Sequence, residues 1–317
     1  NQPRLNDYHK EVLATTDFPM VSTYSFDLGS THFICLNSNQ EQMYDDYGIN
    51  QTEFLLKQAY FLDRDLWKVS KRTTKPKWVI VYAHLSPFTV TRAKRLQHWI
   101  PILEKYGVDL FLCGHNHTYS RSIPIKCGYE KSAYADMINE KNYNTYVPKG
   151  GKNYTLVNET KLNGGEITRS ANISQGVYYV MFQAGGAKQS GKEKAIDMST
   201  ITFLNSTGGT VTSGTEYTKH FHSGTNRPWW YEYTGALPVQ PCFATLDISP
   251  TSIKISMNYV KAVESIDKET GVMTVDKYDP NKHTIVNFDN LTINYSDRNP
   301  AYRTGVSAPY YNENKNY

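Results

Sequence analysis

The sequence lacks long hydrophobic runs, blocks of like charge and internal repeats, and each absence excludes a class of protein. No apolar stretch of about 18 residues occurs in the 317-residue chain, so no transmembrane helix is predicted. The net charge of +4 is small and dispersed, which argues against a nucleic-acid partner. The lack of a period of roughly 20 to 50 residues excludes solenoids and propellers. What remains is a packed globular protein with a polar surface.

Cysteine is also scarce, and the four cysteines fall into two kinds. Cys35 and Cys113 lie inside apolar runs and are expected to be small buried core residues. Cys127 lies in a predicted loop, and Cys242 directly precedes a predicted strand. These last two could form a disulfide, as is usual outside the cytosol, and two free thiols are the alternative.

Acceptor sequences for N-glycosylation, Asn-x-Ser/Thr, are by contrast frequent, at about twice the number that chance gives for this composition. Most of them fall in predicted loops or solvent-facing strands, which favours secretion through a glycosylating pathway. Asn116 also matches, but it lies between two histidines and is expected to stay bare. We therefore expect a secreted or extracellular protein with glycans on some of five asparagines: Asn153, Asn158, Asn172, Asn205 and Asn290.

Two histidines follow a short apolar run in the middle of the chain. Val108 to Cys113 predicts a buried strand, Gly114 ends it, and His115 and His117 come next. Side chains two residues apart in an extended segment point the same way, so both imidazoles can face one point beyond the strand. Neutral imidazole is the commonest metal ligand, although an isolated His-x-His is more often a pair of surface histidines.

A second apolar run, Trp78 to Ala83, also ends in a histidine, His84. Between the two runs, residues 92–106 carry apolar side chains at helical spacing, which predicts a helix. A strand–helix–strand unit implies a right-handed crossover and two parallel strands, whose carboxyl ends lie at the same edge of the sheet. His84, His115 and His117 are therefore predicted to meet in one crevice at that edge, where open α/β sheets usually place their sites.

These motifs resemble those of the metallophosphoesterases, the calcineurin-like superfamily, and in particular the purple-acid-phosphatase-like branch. The resemblance covers most of residues 20–260 and is carried by four segments: Tyr24 to Phe33, Val81 to His84, Gly114 to Tyr119 and Val180 to Gly186. It implies an α/β fold, α+β-like in its layering, in which a two-sheet β-sandwich is flanked by helices.

The resemblance also implies a function, which is metal-dependent hydrolysis of phosphate monoesters of the acid-phosphatase type at a dinuclear centre. By resemblance His84 and His115 would bind one metal and His117 the other, which makes the three histidines the expected catalytic residues. The implied cofactors are two metal ions, iron with zinc, manganese or a second iron. The implied partner is a small phosphorylated substrate.

Three motifs that supply the remaining metal ligands in this family are not in the sequence. They read roughly Asp-x-Gly, Gly-Asp-x-x-Tyr and Gly-Asn-His-Glu, and the chain begins, by resemblance, just after the last of them. The domain is therefore expected to be incomplete at its amino terminus. An amino-terminal fragment of the same protein, which would bring the bridging carboxylate, is a further expected partner.

A group of cations stands at the predicted start of the helix between the two histidine motifs. Arg92, Lys94 and Arg95 could pair with phosphate oxygens, at the place where plant-like members of the family carry histidines. The alternative is a solvated helix start with no contact to substrate.

The rest of the chain is interpreted as follows. Residues 21–36 alternate around a glycine turn and predict a hairpin, residues 50–70 predict an amphipathic helix, and residues 122–176 a loop-rich insertion beside the site. We expect a metallophosphoesterase domain over residues 1–260, followed by carboxyl-terminal strands and a surface tail over residues 261–317. Later strands are predicted at 176–184, 242–248, 252–259, 272–275 and 284–293.

Two other functions compete with a phosphatase. The chain could be a catalytically inactive, secreted structural or binding glycoprotein that retains the fold, and Ser120, where the family often has glutamate before Arg121, favours this. Alternatively, the three histidines could hold a single zinc ion with an open coordination position. The presence of all three histidines favours the phosphatase, and metal analysis distinguishes the three hypotheses.

Overall fold

The structure is a computed structural model. It describes two large sheets, two helices and several short strand pairs within the following residues: 22–39, 45, 48, 51–85, 99–115, 119–122, 125–126, 155–156, 161–163, 166–168, 176–182, 203–204, 210–211, 231–235, 242–261, 264–266, 273–275 and 284–295. The elements up to the end of the histidine region are β1 Tyr24–Leu28, β2 Thr31–Cys35, α1 Gln51–Ser70, β3 Trp78–Tyr82, α2 Trp99–Lys105, β4 Leu110–Cys113 and β5 Tyr119–Ser122. The later elements are β6 Ile125–Lys126, β7 Thr155–Leu156, β8 Lys161–Asn163, β9 Glu166–Thr168, β10 Tyr178–Met181, β11 Phe203–Leu204, β12 Thr210–Val211, β13 Tyr231–Gly235, β14 Cys242–Ile248, β15 Ser252–Lys261, β16 Glu264–Ile266, β17 Met273–Val275 and β18 Thr284–Asn294.

The first sheet has seven strands in the order β1-β2-β3-β4-β10-β5-β13. Its central strands β2, β3, β4 and β10 are parallel, and the remaining strands pair antiparallel at its two ends. β3 and β4 are neighbours with α2 between them in the chain, which confirms the predicted strand–helix–strand unit. The predicted hairpin of β1 and β2 is confirmed too, and its turn uses Gly29 at a φ of +59°, a conformation that costs glycine little.

Successive side chains of β3 and β4 point to opposite faces of the first sheet, and both faces are apolar. Trp78 and Ile80 of β3 and Leu110 of β4 belong to one core cluster, whereas Phe111 of β4 packs its ring against Trp99 of α2 on the other face. Parallel strands covered on both faces are expected to be apolar throughout, and β3, β4 and β10 are almost wholly buried. The sheet is therefore the central layer, with helices on one side.

The second sheet covers the other side. Its five strands have the order β14-β15-β18-β9-β8, and its inward residues Ile253, Ile255, Met257, Leu291 and Ile293 join the core cluster of the first sheet. The predicted strands at 242–248, 252–259 and 284–293 are confirmed. A hydrogen bond of 2.7 Å from the indole nitrogen of Trp78 to the Ser249 carbonyl ties the two sheets together. The predicted α/β two-sheet sandwich flanked by helices is thus the observed architecture.

Short strands occur within the region interpreted as a loop-rich insertion. β8 and β9 form one edge of the second sheet, since β9 pairs in parallel with β18. This part of residues 122–176 therefore belongs to the sandwich, and the position of the insertion beside the site stays a prediction. The division of the chain at residue 260 stays a prediction.

Helix α1 packs through one apolar stripe, as its spacing predicts. Its inward residues are all buried: Leu55, Ala59, Leu62, Leu66 and Val69. A buried carboxylate, Asp63, accepts a hydrogen bond of 2.7 Å from the Tyr106 hydroxyl and lies 3.8 Å from the Lys105 ammonium group. This polar group links α1 to the end of α2.

A second polar group fastens α1 to the β1–β2 hairpin. His32 is 1% exposed, and its Nδ1 and Nε2 atoms each lie 2.7 Å from a carboxylate oxygen, of Asp27 and Asp65 respectively. Arg72 binds both oxygens of Asp27, at 3.0 and 2.8 Å, and the Ser25 hydroxyl donates to Asp65 at 2.8 Å. Burial alone would lower the pKa of His32, but the hydrogen bonds to Asp65 and Asp27 outweigh it and raise that pKa above 6.5. The imidazole is therefore held as a cation between two anions.

The edge strand β1 exposes apolar side chains on the face that the second sheet covers elsewhere. Tyr24, Phe26 and Leu28 are 48%, 42% and 67% exposed, and the Phe26 ring stacks on Phe33 at 5.1 Å. Exposed apolar sheet surface of this kind commonly marks a place where another segment or a partner packs.

The cysteines of the first sheet agree in part with expectation. Cys113 is buried, and its thiol donates to the Val180 carbonyl at 3.5 Å. Cys35 is only half-buried, and burial raises the pKa of its thiol. Cys242 is buried and carries a free thiol in this structure, so the predicted disulfide with Cys127 is not observed; Cys127 itself lies outside the described residues.

We predict that His32→Gln lowers the free energy of unfolding by about 2 kcal/mol at about pH 5.5, because hydrogen bonds to charged groups contribute about 1.5–3 kcal/mol. The loss should shrink at about pH 8. Because the folded-state pKa of His32 is raised above 6.5, the protonated imidazole contributes its full stability below pH 6.5. That contribution is lost as the pH rises through the folded-state pKa. Urea unfolding at the two pH values measures the difference.

Ser25→Ala is the matched control for this experiment. It removes one hydroxyl hydrogen bond to Asp65 and no titrating group, so its cost should be equal at both pH values. Equal losses for His32→Gln at both pH values would show that His32 is not held as a cation.

Candidate metal centre

The candidate site lies where β3 and β4 end side by side. Beyond the last residues of both strands, their parallel pairing continues through two hydrogen bonds, from the Ala83 amide to the Leu112 carbonyl at 3.1 Å and from the Gly114 amide to the His84 carbonyl at 2.9 Å. This register places His84 beside His115 at the carboxyl edge of the sheet. The predicted meeting of these two histidines is therefore observed.

The two imidazoles approach each other closely. Nε2 of His84 lies 3.1 Å from Nδ1 of His115, the ring centroids are 5.1 Å apart, and the ring planes are nearly perpendicular at 89°. Both side chains are exposed, so the pair is accessible to a ligand. In this arrangement one ring nitrogen donates a hydrogen bond to the other, and a cation that binds both nitrogens would take the place of the proton between them.

This geometry fits two ligands of one transition-metal ion. Metal–imidazole bonds of about 2.0–2.1 Å bring two coordinating nitrogens to about 3 Å from each other, close to the separation between His84 and His115. Within the described ranges, no His, Cys, Asp or Glu completes a group of three around this pair. The described residues thus supply part of a metal shell.

The backbone of His115 adopts an unusual conformation. Its φ is +80°, and among the described residues it is the one non-glycine residue with a positive φ. A side chain in this left-handed region costs of order 1 kcal/mol or more, and such residues cluster at functional sites. The conformation directs the His115 ring toward His84 at the end of β4.

A buried ion pair lies directly after the histidine loop. Arg121 of β5 donates from Nε and Nη2 to the two oxygens of Asp289 at 2.7 and 3.0 Å, and the Tyr119 hydroxyl also donates to Asp289. All three side chains are buried. Burial and the Asp289 charge raise the pKa of Tyr119 well above its usual value of 10, which keeps its hydroxyl a donor. We call these three residues the Asp289 cluster.

Sequence reasoning did not identify Asp289. It lies on β18, about 170 residues after Tyr119. The sequence did contain a signal for it. Asp289 is two residues before Leu291 and four before Ile293, so it points to the same buried face of β18, and a buried aspartate requires a partner.

The other predicted site residues have different outcomes. Asn290 is half-buried on β18, and its Nδ2, the atom that would carry a glycan, donates to the Asn287 side chain at 2.8 Å.

Neither of the two described helices combines the length and the hydrophobicity that a membrane span needs. The remaining predicted residues lie outside the described part of the chain: Arg92, Lys94, Arg95, His117, Cys127, Asn153, Asn158, Asn172 and Asn205.

We predict that His115→Gly is more stable than His115→Ala by about 1 kcal/mol, because both remove the imidazole but only glycine accepts a positive φ without strain. The matched pair at His84, where φ is not positive, should show the opposite order, with alanine favoured by about 0.5–1 kcal/mol. Denaturant unfolding of the four variants measures both differences. An alanine advantage at both positions would contradict the conformation of His115.

Comparison with known proteins agrees with this arrangement of strands and histidines. Residues 4–119 match the calcineurin-like phosphoesterase family. An acid phosphatase from Aspergillus ficuum is 28% identical over 190 residues, which are 48% of this chain and 29% of that protein. The "Probable inactive purple acid phosphatase 9" of Arabidopsis thaliana is 32% identical over 118 residues, covering 33% of this chain and 16% of that protein. The chain thus matches less than a third of the length of these relatives.

A solved purple acid phosphatase from yellow lupin (Lupinus luteus) seeds aligns with 90% of this chain and 34% of its own, at 16% identity and a TM-score of 0.38. The family match spans the β1–β2 hairpin, β3, β4 and the sequence positions of His84, His115 and His117. The match over residues 4–119 identifies part of a calcineurin-like phosphoesterase domain, and the similarity to acid phosphatases fits the purple-acid-phosphatase-like branch.

Proposed function

We propose that this phosphoesterase hydrolyses phosphate monoesters at a dinuclear metal centre, in the manner of an acid phosphatase. The single observation that carries the proposal is the 3.1 Å approach of His84 Nε2 to His115 Nδ1 at the carboxyl ends of adjacent parallel strands. Two exposed imidazoles held this close form a ready pair of nitrogen ligands. The similarity to the Aspergillus ficuum acid phosphatase supports a monoester substrate.

The residues of this chain would share the work of binding and orientation. His84 and His115 would hold one ion, and His117, two residues further along the same loop, would hold the second. When bound, the metal pair would supply Lewis-acid activation of the phosphate and of the attacking water. The hydrogen bond between the Gly114 amide and the His84 carbonyl fixes the distance between the two loops, so the nitrogens need little reorganisation on binding. Iron with zinc, manganese or a second iron is the proposed pair.

The remaining ligands would come from a segment outside this sequence. Two cations at close range repel each other, and neutral histidines cannot offset that repulsion, so a bridging carboxylate is required. We propose that this segment contributes the aspartate, aspartate–tyrosine and asparagine–histidine motifs. The exposed stripe of Tyr24, Phe26 and Leu28 supports an additional segment against the first sheet.

The substrate and the compartment complete the proposal. Arg92, Lys94 and Arg95 would bind the phosphate of a small substrate through charged hydrogen bonds, unless they form a solvated helix start. The protein would be a secreted glycoprotein with a Cys127–Cys242 disulfide, in keeping with the number of acceptor asparagines in the sequence.

An inactive protein of the same fold is the second candidate. Ser120 stands before Arg121 where the family often has glutamate, and one relative is named as an inactive purple acid phosphatase. A single zinc ion on the three histidines is the third. Metal analysis separates the candidates, since they require two ions, none or one zinc ion.

We predict that His117→Ala abolishes binding of the second metal and lowers turnover of an aryl phosphate by more than about 100-fold, since even groups behind the ligands are worth about 10–100-fold. The fold should be retained, because loop ligands contribute little packing. Metal content, turnover and circular dichroism of the same preparation measure the three effects. Unchanged activity would remove His117 from the site.

The experiment that tests the proposal compares residues 1–317 expressed alone with the same chain supplied with an upstream segment that contains the three missing motifs. Alone, the chain should bind divalent metal poorly and aggregate through its open apolar surface. With the segment, it should become soluble and hydrolyse an aryl phosphate in the presence of added metal. If the chain alone is a stable, cooperatively folding monomer and hydrolysis appears in neither preparation, the inactive structural protein is the correct reading.

A further inference from the structure

We propose that Asp289 is a positioning residue for the metal-binding histidine loop. It would act through Tyr119 and Arg121, which begin the strand that follows the loop. The inference rests on the proposed metal centre, but it concerns a residue of the second sheet, far from the histidines in sequence. It assigns the carboxyl-terminal strands a part in building the site.

Asp289 binds two residues of β5, the strand that follows the loop. Tyr119 and Arg121 are two residues apart on β5, so both side chains leave the same face of the first sheet and reach the same carboxylate. Two parallel N–H···O bonds from Arg121 fix the direction of the guanidinium plane as well as its distance. The start of β5 at Tyr119, two residues after His117 in the sequence, is therefore fixed in position.

The other end of the loop is fixed as well. The hydrogen bond between the Gly114 amide and the His84 carbonyl holds the chain at the end of β4, immediately before His115. β5 in turn pairs with β10 through Ser120 and Arg121, and β10 pairs in parallel with β4. Gly114 before the loop and Tyr119 after it are thus both anchored, and the Asp289 cluster is the anchor that reaches the second sheet.

Asp289 lies next to a bulge in β18 and points inward with Leu291 and Ile293. The pairing of β15 with β18 shifts its register between Met257 and Asn258, so that Met257 lies opposite Asp289 and Asn258 opposite Asn287. The side-chain Nδ2 of Asn287 donates to the Met257 carbonyl at 3.1 Å and to the Asn258 side chain at 3.2 Å, which stabilises the irregular pairing. The inward direction of Asp289 follows from the regular alternation after the bulge, so the carboxylate is built into the strand.

Burying the Arg121–Asp289 ion pair costs desolvation free energy, which stability of the sandwich alone does not call for. Exchanging a buried ion pair for apolar residues of similar size is often neutral or stabilising, so such a pair needs another reason to be present. Here the sandwich already has an apolar core on both sides of Asp289, formed by residues such as Met257 and Leu291. Fixing the direction in which β5 leaves the histidine loop is a task that apolar packing performs less well, because packing is not directional.

The test is a titration with Co²⁺ of the chain supplied with the upstream segment of the preceding experiment, followed by the visible absorption of the bound ion, with the melting temperature of the metal-free protein measured in parallel. Asp289→Asn should weaken Co²⁺ binding about tenfold, in the range found for groups that orient metal ligands, and should alter the absorption bands. Tyr119→Phe removes one donor and should weaken binding by a smaller factor. It also keeps the test decisive if Asp289→Asn does not fold.

Asp63→Asn is the matched control. Asp63 is also a buried carboxylate that accepts a tyrosine hydroxyl and faces a cation, but it lies between the helices on the other side of the first sheet. The control should lower the melting temperature without changing the Co²⁺ affinity or spectrum. Equal Co²⁺ affinities for wild type, Asp289→Asn and Tyr119→Phe would overturn the inference.

Failure of the inference and failure of the proposed function give different results. No Co²⁺ binding by the wild type would overturn the metal site itself, and the inference with it. Normal Co²⁺ binding that is weakened by Asp289→Asn supports the inference even if no phosphate ester is hydrolysed, because hydrolysis does not enter the readout.

Discussion

The parallel pairing of β3 with β4 is the constraint on which the candidate site depends. A parallel ladder brings the carboxyl ends of two strands to one edge, and here the ladder continues past both strands to the hydrogen bond between Gly114 and His84. A slip of one residue would turn His84 away from His115. Because Trp78 and Ile80 are buried on one face and Val79 and Val81 on the other, such a slip would also exchange the contents of two cores.

The two-sheet architecture adds a second constraint at the same edge. The first sheet supplies the histidines, and the second sheet supplies the carboxylate that binds Tyr119 and Arg121 just after them. The sheets are joined by an apolar cluster and by the hydrogen bond from Trp78 to Ser249. Apolar burial provides most of the free energy of such a sandwich, whereas the ion pair and the hydrogen bonds determine how its elements are oriented.

Much of this could be predicted from the sequence, because alternation and helical spacing are local signals. β3, α1 and the β14–β15 hairpin follow directly from them, and so does the meeting of His84 with His115, since the crossover rule converts two local strands into one shared edge. The left-handed backbone of His115 could not be predicted, because nothing in its own residue type requires it. The partner of Arg121 could not be predicted either, since alternation indicates only that Asp289 points inward, and the two residues lie 168 positions apart.

Anomalous diffraction at a metal absorption edge, from crystals of the protein loaded with its native metal, tests the central claim most directly. The account predicts a peak of anomalous density bonded to Nε2 of His84 and Nδ1 of His115. A loaded protein with no density between these two nitrogens, or with a metal ion held elsewhere while the two imidazoles remain in direct contact with each other, would contradict it.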